Sequence, residues 1–226
     1  MKRNGFLLAM LLLLISVPAF AQEPGWEITP FAGWKTGGNL ELTPNGSFTG
    51  QIHAKDGFMG GLAIGVEPRP DFTFEARYHY MHSGIFFKPA GGGANTDIAD
   101  LTIHQAMGDF LFSKPGRSEN TWPYFLIGLG ANIFDPGQTK GALGPPKNLS
   151  TQTKFTWSLG LGVKKMMGNG SSGVRLETRY NPTYINSTQT GYWCDPFYGC
   201  YTTADAHYFD QWEFSLGFVK KLGYHR

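Results

Sequence analysis

The chain has 226 residues, a formal net charge of +2 and 16% charged side chains. So small a charge does not imply a nucleic-acid partner, and none is expected. The charged share is low against roughly 25% in soluble domains, whereas rings make up 15% and glycines number 31.

The first element is a leader. Lys2 and Arg3 precede an apolar run from Phe6 to Val17, and Ala19-Phe20-Ala21 offers a small-x-small cleavage site. Residues 1–21 read as a secretory signal peptide and 22–226 as a single mature domain. No cysteine follows the cut, so a lipoprotein anchor is not expected. Export places the remainder in an oxidising compartment. Beyond the leader, no stretch reaches the ~18 consecutive apolar residues of a membrane helix. The run from Tyr124 to Ile133 is broken by Gly128, Gly130 and Asn132. A membrane-embedded mature chain must therefore be a β-barrel, which pairs all its backbone groups without helices.

Eight segments carry strand patterning: 26–34, 57–66, 72–81, 101–112, 123–134, 154–165, 173–183 and 208–220. In the second, Phe58, Leu62, Ile64 and Val66 oppose Gly61, Ala63 and Gly65. The third sets Phe72, Phe74, Ala76, Tyr78 and Tyr80 against Thr73, Glu75, Arg77 and His79. In the sixth, Phe155, Trp157, Leu159, Leu161 and Val163 oppose Thr156, Ser158, Gly160, Gly162 and Lys164. The seventh places Val174, Leu176 and Tyr180 against Arg175, Glu177, Arg179 and Asn181. The eighth places Trp212, Phe214, Leu216 and Phe218 against Glu213, Ser215 and Gly217. The first, fourth and fifth segments alternate less cleanly.

The gaps alternate as well. Short connectors run through Glu67–Asp71, Ser113–Trp122 and Met166–Ser172; long ones span 35–56, 82–100, 135–153 and 184–207. Membrane barrels have short periplasmic turns and long outer loops. The expected fold is all-β: an eight-stranded antiparallel up-and-down transmembrane β-barrel with short periplasmic turns and four long extracellular loops. A soluble barrel would bury the bulky face and leave many glycines exposed in mid-strand. A membrane barrel turns that face to lipid, with Tyr78, Tyr80, Trp157, Tyr180, Trp212 and Phe214 as lipid-facing or girdle rings. The polar face then fills a narrow lumen.

Phe74-Glu75-Ala76-Arg77-Tyr78, the run Pro123 to Gly130, Leu159-Gly160-Leu161-Gly162-Val163 and the closing Leu216-Gly217-Phe218-Val219 resemble, in order and spacing, the OmpA/OmpX-type eight-stranded outer-membrane barrels. The resemblance spans essentially the whole mature chain. It implies the outer membrane of a Gram-negative cell, with surrounding lipid, lipopolysaccharide and the barrel-insertion machinery as partners. Such families usually end on an aromatic residue, whereas this chain ends Leu222-Gly223-Tyr224-His225-Arg226.

Glu75, Arg77, Glu177 and Arg179 share the inner face by parity and are expected to form an interior charge network, since buried charges must be paired. Eight strands enclose a space that side chains just fill. A plugged barrel is therefore expected, with a structural role in membrane integrity and outer loops open to an extracellular ligand. Two alternatives compete: a lipid-modifying enzyme of the lipid A deacylase kind, and a porin-like narrow pore for small solutes. His82 beside Ser83 suggests the first, but that family separates its His and Ser by one residue, so no enzyme is expected. His79 and His82 point to opposite faces and cannot share a metal. No cofactor motif is present. Cys194 and Cys200, the only cysteines, are expected to form a disulfide that stiffens one outer loop, worth about 2 kcal/mol.

Overall fold

The computed structural model describes residues 25–42, 50–114, 120–140, 149–168, 170–185, 193–195, 199–201 and 208–222. For 39–42, 193–195 and 199–201 it describes the main chain alone. The predicted leader and the last four residues lie outside this set.

Eight strands form the wall: β1 (Gly25–Lys35), β2 (Gly57–Arg69), β3 (Phe72–Pro89), β4 (Thr96–Ser113), β5 (Thr121–Thr139), β6 (Gln152–Met167), β7 (Ser172–Tyr180) and β8 (Trp212–Leu222). Each pairs antiparallel with its chain neighbour from β1 to β8. β8 then returns to β1, from Trp26↔Leu222 to Lys35↔Glu213, and closes the ring. Closure removes every edge along this span, the condition for unbroken backbone pairing in lipid.

The strands are longer than the alternation predicts on one side. β3 and β4 run 18 residues each and β5 runs 19, against the ~9–11 that a tilted strand needs to cross a bilayer. Most of 82–100, expected as a loop, is ladder: Phe86 pairs with Asp97 and Phe87 with Thr96. A register shift between Ile85 and Phe86 explains why alternation failed there. One extra residue reverses the parity of everything after it. The gap 35–56 also contains strands: Asn39–Leu42 pairs with Gly50–Ala54, which lies along β3 from Gly50↔Pro89 to Ala54↔Ile85.

The seventh strand, expected over 173–183, ends at Tyr180. Pro182 has no N–H to give the ladder, yet its carbonyl accepts from the Trp157 N–H at 3.3 Å and the Thr156 hydroxyl at 3.0 Å. Pairing resumes at Thr183 opposite Thr156. The eighth strand begins at Trp212 rather than 208, and Tyr208–Phe209 pairs with Thr183–Tyr184 instead.

Outward positions are apolar and exposed. Phe58 is 74% accessible, and Leu161 and Leu216 are 60% accessible. Trp26, Phe72 and Phe112 ring the end that carries the short turns. Trp34, Phe58, Tyr80, Trp157 and Trp212 ring the other, with Trp34 edge-on to Phe58 at 5.1 Å. Leu62, Ile127, Leu159, Leu176 and Leu216 lie between the two belts. This is the banding of a wall immersed in hydrocarbon. No helix among the described residues is long and apolar enough to cross a membrane; the strands make the crossing.

The lumen departs from the expectation of a uniformly polar interior. Its half nearest the short turns is charged. Its outer half is an apolar cluster of Phe31, Met59, Met81, Ile85, Leu101, Ile103 and Phe209, with Phe134 and Ile185 packed against it. Leu101 and Ile103 of the fourth strand belong to this cluster and Phe134 of the fifth packs against it; these are the segments whose faces the alternation does not resolve.

Candidate functional site: a charged plug in the lumen

Period-2 geometry turns alternate residues of each strand inward, so the plug follows directly from strand parity. Among the described buried residues, the carboxylates Glu27, Glu75, Asp109, Glu177 and Glu213 face the cations Lys35, Arg77, Lys164, Arg175 and Arg179, all at most 5% accessible. Five charges of each sign cancel. The interior therefore carries no net charge that would favour either ion sign.

Glu177 is the hub. Its Oε1 accepts from Arg77 at 2.8 Å and from Arg179 Nε. Its Oε2 accepts from Arg175 Nη2 at 2.5 Å and from the Tyr124 hydroxyl at 2.5 Å. Arg175 also reaches across to both oxygens of Glu75, at 2.5 and 3.0 Å. Arg179 reaches Asp109 at 2.7 Å, and Arg77 reaches Glu213. The Arg77 guanidinium lies 3.7 Å above the Phe31 ring, at the border with the apolar half. Nearer the short turns, Lys164 donates to Glu27 at 2.5 Å. In this low-dielectric space such charges persist only with direct partners.

Lys35 is the exception. Its ammonium meets the His79 Nε2 at 3.3 Å, and no carboxylate lies within 4 Å of it among the described residues. Since ammonium can only donate, His79 must accept at Nε2 and carry its proton on Nδ1, which faces Glu213 at 3.9 Å. Around this pair stands a belt of neutral side chains, Gln105, Asn132, Asn181 and Gln211. Each keeps one polar atom without a protein partner, a setting suited to ordered water.

Two glycines make room for the plug. A Cβ on Gly162 would run into the Tyr124 phenol, and one on Gly128 into the Asp109 carboxylate. Gly162→Val should therefore push Tyr124 off Glu177 and destabilise the barrel by about 1–3 kcal/mol, the usual cost of overpacking. A urea unfolding series in detergent checks this.

Of the four residues assigned to the interior network, Arg77, Arg179 and Glu177 meet directly. Glu75 pairs mainly with Arg175, its contact to Arg179 being 3.7 Å. Glu75 and Arg77 do not pair with each other; Arg77 turns instead to Glu177 and Glu213. Sequence reasoning left out Arg175 and Glu213, although their alternation with Val174 and Trp212 marks them as inward. It also left out Asp109, whose segment gave no clean alternation. The predicted lipid-facing rings all point outward. The Tyr78 hydroxyl and His104 Nδ1 share a hydrogen bond of 2.7 Å, and Tyr180 packs between Trp157 and Trp212.

His82 faces outward and is exposed, whereas the Ser83 hydroxyl is turned inward and donates to the Lys55 carbonyl at 2.5 Å. The wall separates the two, so they cannot act as base and nucleophile. Cys194 and Cys200 stand opposite each other in a two-stranded ribbon outside the barrel sheet; their side chains lie outside the described set.

Beyond the outer belt, Lys55 pairs with Asp97 at 2.8 Å and Lys140 with Asp100 at 2.7 Å. The hydrogen bonds from these lysines hold both carboxyls below the usual aspartate value of 3.8. A depressed carboxyl stabilises the fold above its unfolded value and stops doing so as pH falls through its folded value. Asp97 and Asp100 should thus titrate below 3.8 by carbon-detected NMR, and Lys55→Ala should return Asp97 toward it.

A closed ring of eight strands, an apolar outer wall between two aromatic belts and a filled polar core define a small outer-membrane β-barrel. The sequence matches the family described as "Outer membrane protein beta-barrel domain" over residues 7–219, and the chain belongs to it. The outer membrane protein OprG of Pseudomonas aeruginosa has the same fold, with a TM-score of 0.64 at 13% identity, over 89% of this chain and 97% of that one. Neisserial surface protein A superposes with a TM-score of 0.53 at 15% identity, over 89% of this chain and all of the other. No curated protein matches the sequence.

Proposed function

We propose that this chain is a sealed outer-membrane barrel that serves membrane integrity and offers its outer extensions to an extracellular ligand. The filled lumen carries this reading. A neutral ion-pair network occupies one half, and packed Met, Ile, Leu and Phe side chains occupy the other. Either layer alone would obstruct a solute. The long ladder of β3, β4 and β5 and the paired 39–42 and 50–54 strands form a rigid platform beyond the outer belt, suited to surface contact.

The proposed partners are outer-membrane lipid and lipopolysaccharide at the wall, the insertion machinery during assembly, and a ligand of unassigned chemistry at the platform. The opposed main chains of Cys194 and Cys200 support a disulfide in the 184–207 loop. Alkylation of both thiols only after reduction is its expected signature; labelling without reductant would rule it out.

Planar bilayer recording tests the main reading. The reconstituted protein should leave the bilayer without unitary steps, whereas stable steps of one size from the unaltered protein would favour the narrow pore.

A further inference from the structure

The lipid-facing wall is not evenly filled. A cavity of about 400 Å³ opens outward between Phe125, Leu159, Leu161, Thr178, Tyr180 and Trp212. Its origin is a single short side chain. Thr178 stands directly opposite Leu161 on β6 and Phe214 on β8, so a threonine replaces the large apolar residue that its neighbours carry. Gly160, whose side-chain position faces the lumen, contributes only main chain to the groove floor.

The direction of the groove is informative. β7 runs from the short turn at Ser172 to the outer belt at Tyr180, so the groove crosses from Phe125, which stands beside the inner-belt Phe112, through Leu161 in mid-wall to the outer rim at Tyr180 and Trp212. Its upper part, from Leu161 to the rim, therefore lies at the depth of the outer leaflet. The rim is fixed in advance. The Tyr180 hydroxyl donates to Asp210 at 2.7 Å, and the ring is held edge-on to Trp157 at 5.9 Å and tilted against Trp212 at 5.3 Å. A preformed apolar slot loses little ordering entropy when it is filled. Its lining is hydrocarbon and aromatic apart from the Thr178 hydroxyl, so water gains little there. Its volume falls in the range of small-ligand sites.

We infer that this groove seats one acyl chain of the outer-leaflet glycolipid, lipid A, and holds it more tightly than the rest of the wall holds its surrounding lipid. The site lies on the outer surface, so it extends the proposed lipopolysaccharide contact without depending on the sealed lumen. A failure here would leave the bilayer recording unchanged.

Native mass spectrometry of the full-length protein, extracted from outer membranes in mild detergent, tests the inference. The unaltered protein should carry one lipid A-containing glycolipid. Thr178→Phe fills the groove and should reduce the bound fraction roughly tenfold, about 1.4 kcal/mol. Thr178→Leu provides a second, smaller filling and should act in the same direction. Ala106→Phe adds the same bulk to the outward face of β4 and should leave retention unchanged. Heat-dependent gel mobility checks that each variant is folded. Retention of phospholipid alone, no retained lipid, or equal loss in Thr178→Phe and Ala106→Phe would each overturn the inference.

Discussion

Glu177→Gln should cost on the order of 3–5 kcal/mol, the largest loss expected of any single substitution in the barrel. The carboxylate accepts from Arg77, Arg175, Arg179 and Tyr124 at once. Neutralising it keeps the shape and removes the charge. Three guanidinium groups then share Glu75, Asp109 and Glu213, and the lumen gains a net positive charge in a space closed to water. The amide can donate where the carboxylate accepted, so at least one arginine loses a partner outright. Arg77→Ala should fall in the same class, since it strips a partner from both Glu177 and Glu213. Lys88→Ala, exposed on the outer extension, should change stability by no more than about 0.5 kcal/mol. Urea unfolding in detergent, followed by tryptophan emission, compares the three. Equal midpoints for Glu177→Gln and Lys88→Ala would mean that the plug is hydrated and its charges screened.

The parts of this molecule that were legible in sequence are those where one periodicity runs unbroken. β7 alternates Val174-Arg175-Leu176-Glu177 without interruption, so both its lipid face and its plug residues could be read from parity. β4 and β5 could not be read that way, because both faces there are partly apolar. Ala106, Gly108 and Phe110 turn outward while Leu101, Ile103, Met107 and Leu111 turn inward. A hydrophobic residue then no longer marks the membrane side. The same ambiguity concealed the apolar half of the lumen and Asp109. The extensions of β3 and β4 were missed for a different reason: a one-residue irregularity at Ile85 and Phe86 inverts the phase. The ion-pair partners were beyond sequence in any case. Arg175 and Glu75 sit 100 positions apart, and only closure of the ring brings them within 2.5 Å.

Closure also sets a simple expectation for handling. A barrel with every strand paired resists detergent until heated, so unheated and boiled samples should run at different positions on a denaturing gel. Identical mobility together with helical far-UV dichroism would contradict the closed sheet.

Leu216→Arg separates an immersed wall from a solvated one. Leu216 lies in the middle of β8, opposite Ala32 on β1 and Leu176 on β7, and points outward with 60% of its surface accessible. If that surface met water, arginine there would be almost neutral, within about 0.5 kcal/mol as for other exposed sites. In hydrocarbon near mid-bilayer the same change should cost about 2–4 kcal/mol. Trp212→Arg, at the outer rim, should carry a smaller charge penalty of ~0–1 kcal/mol, because a long side chain there can reach the head groups. The measurement is reversible unfolding of the chain inserted into bilayers, repeated for both variants. A steep difference between mid-wall and rim is the depth dependence that only a membrane produces. If both substitutions are neutral and the unaltered protein stays monomeric in plain buffer, the immersed wall is falsified, because an apolar band of this extent cannot remain exposed to water.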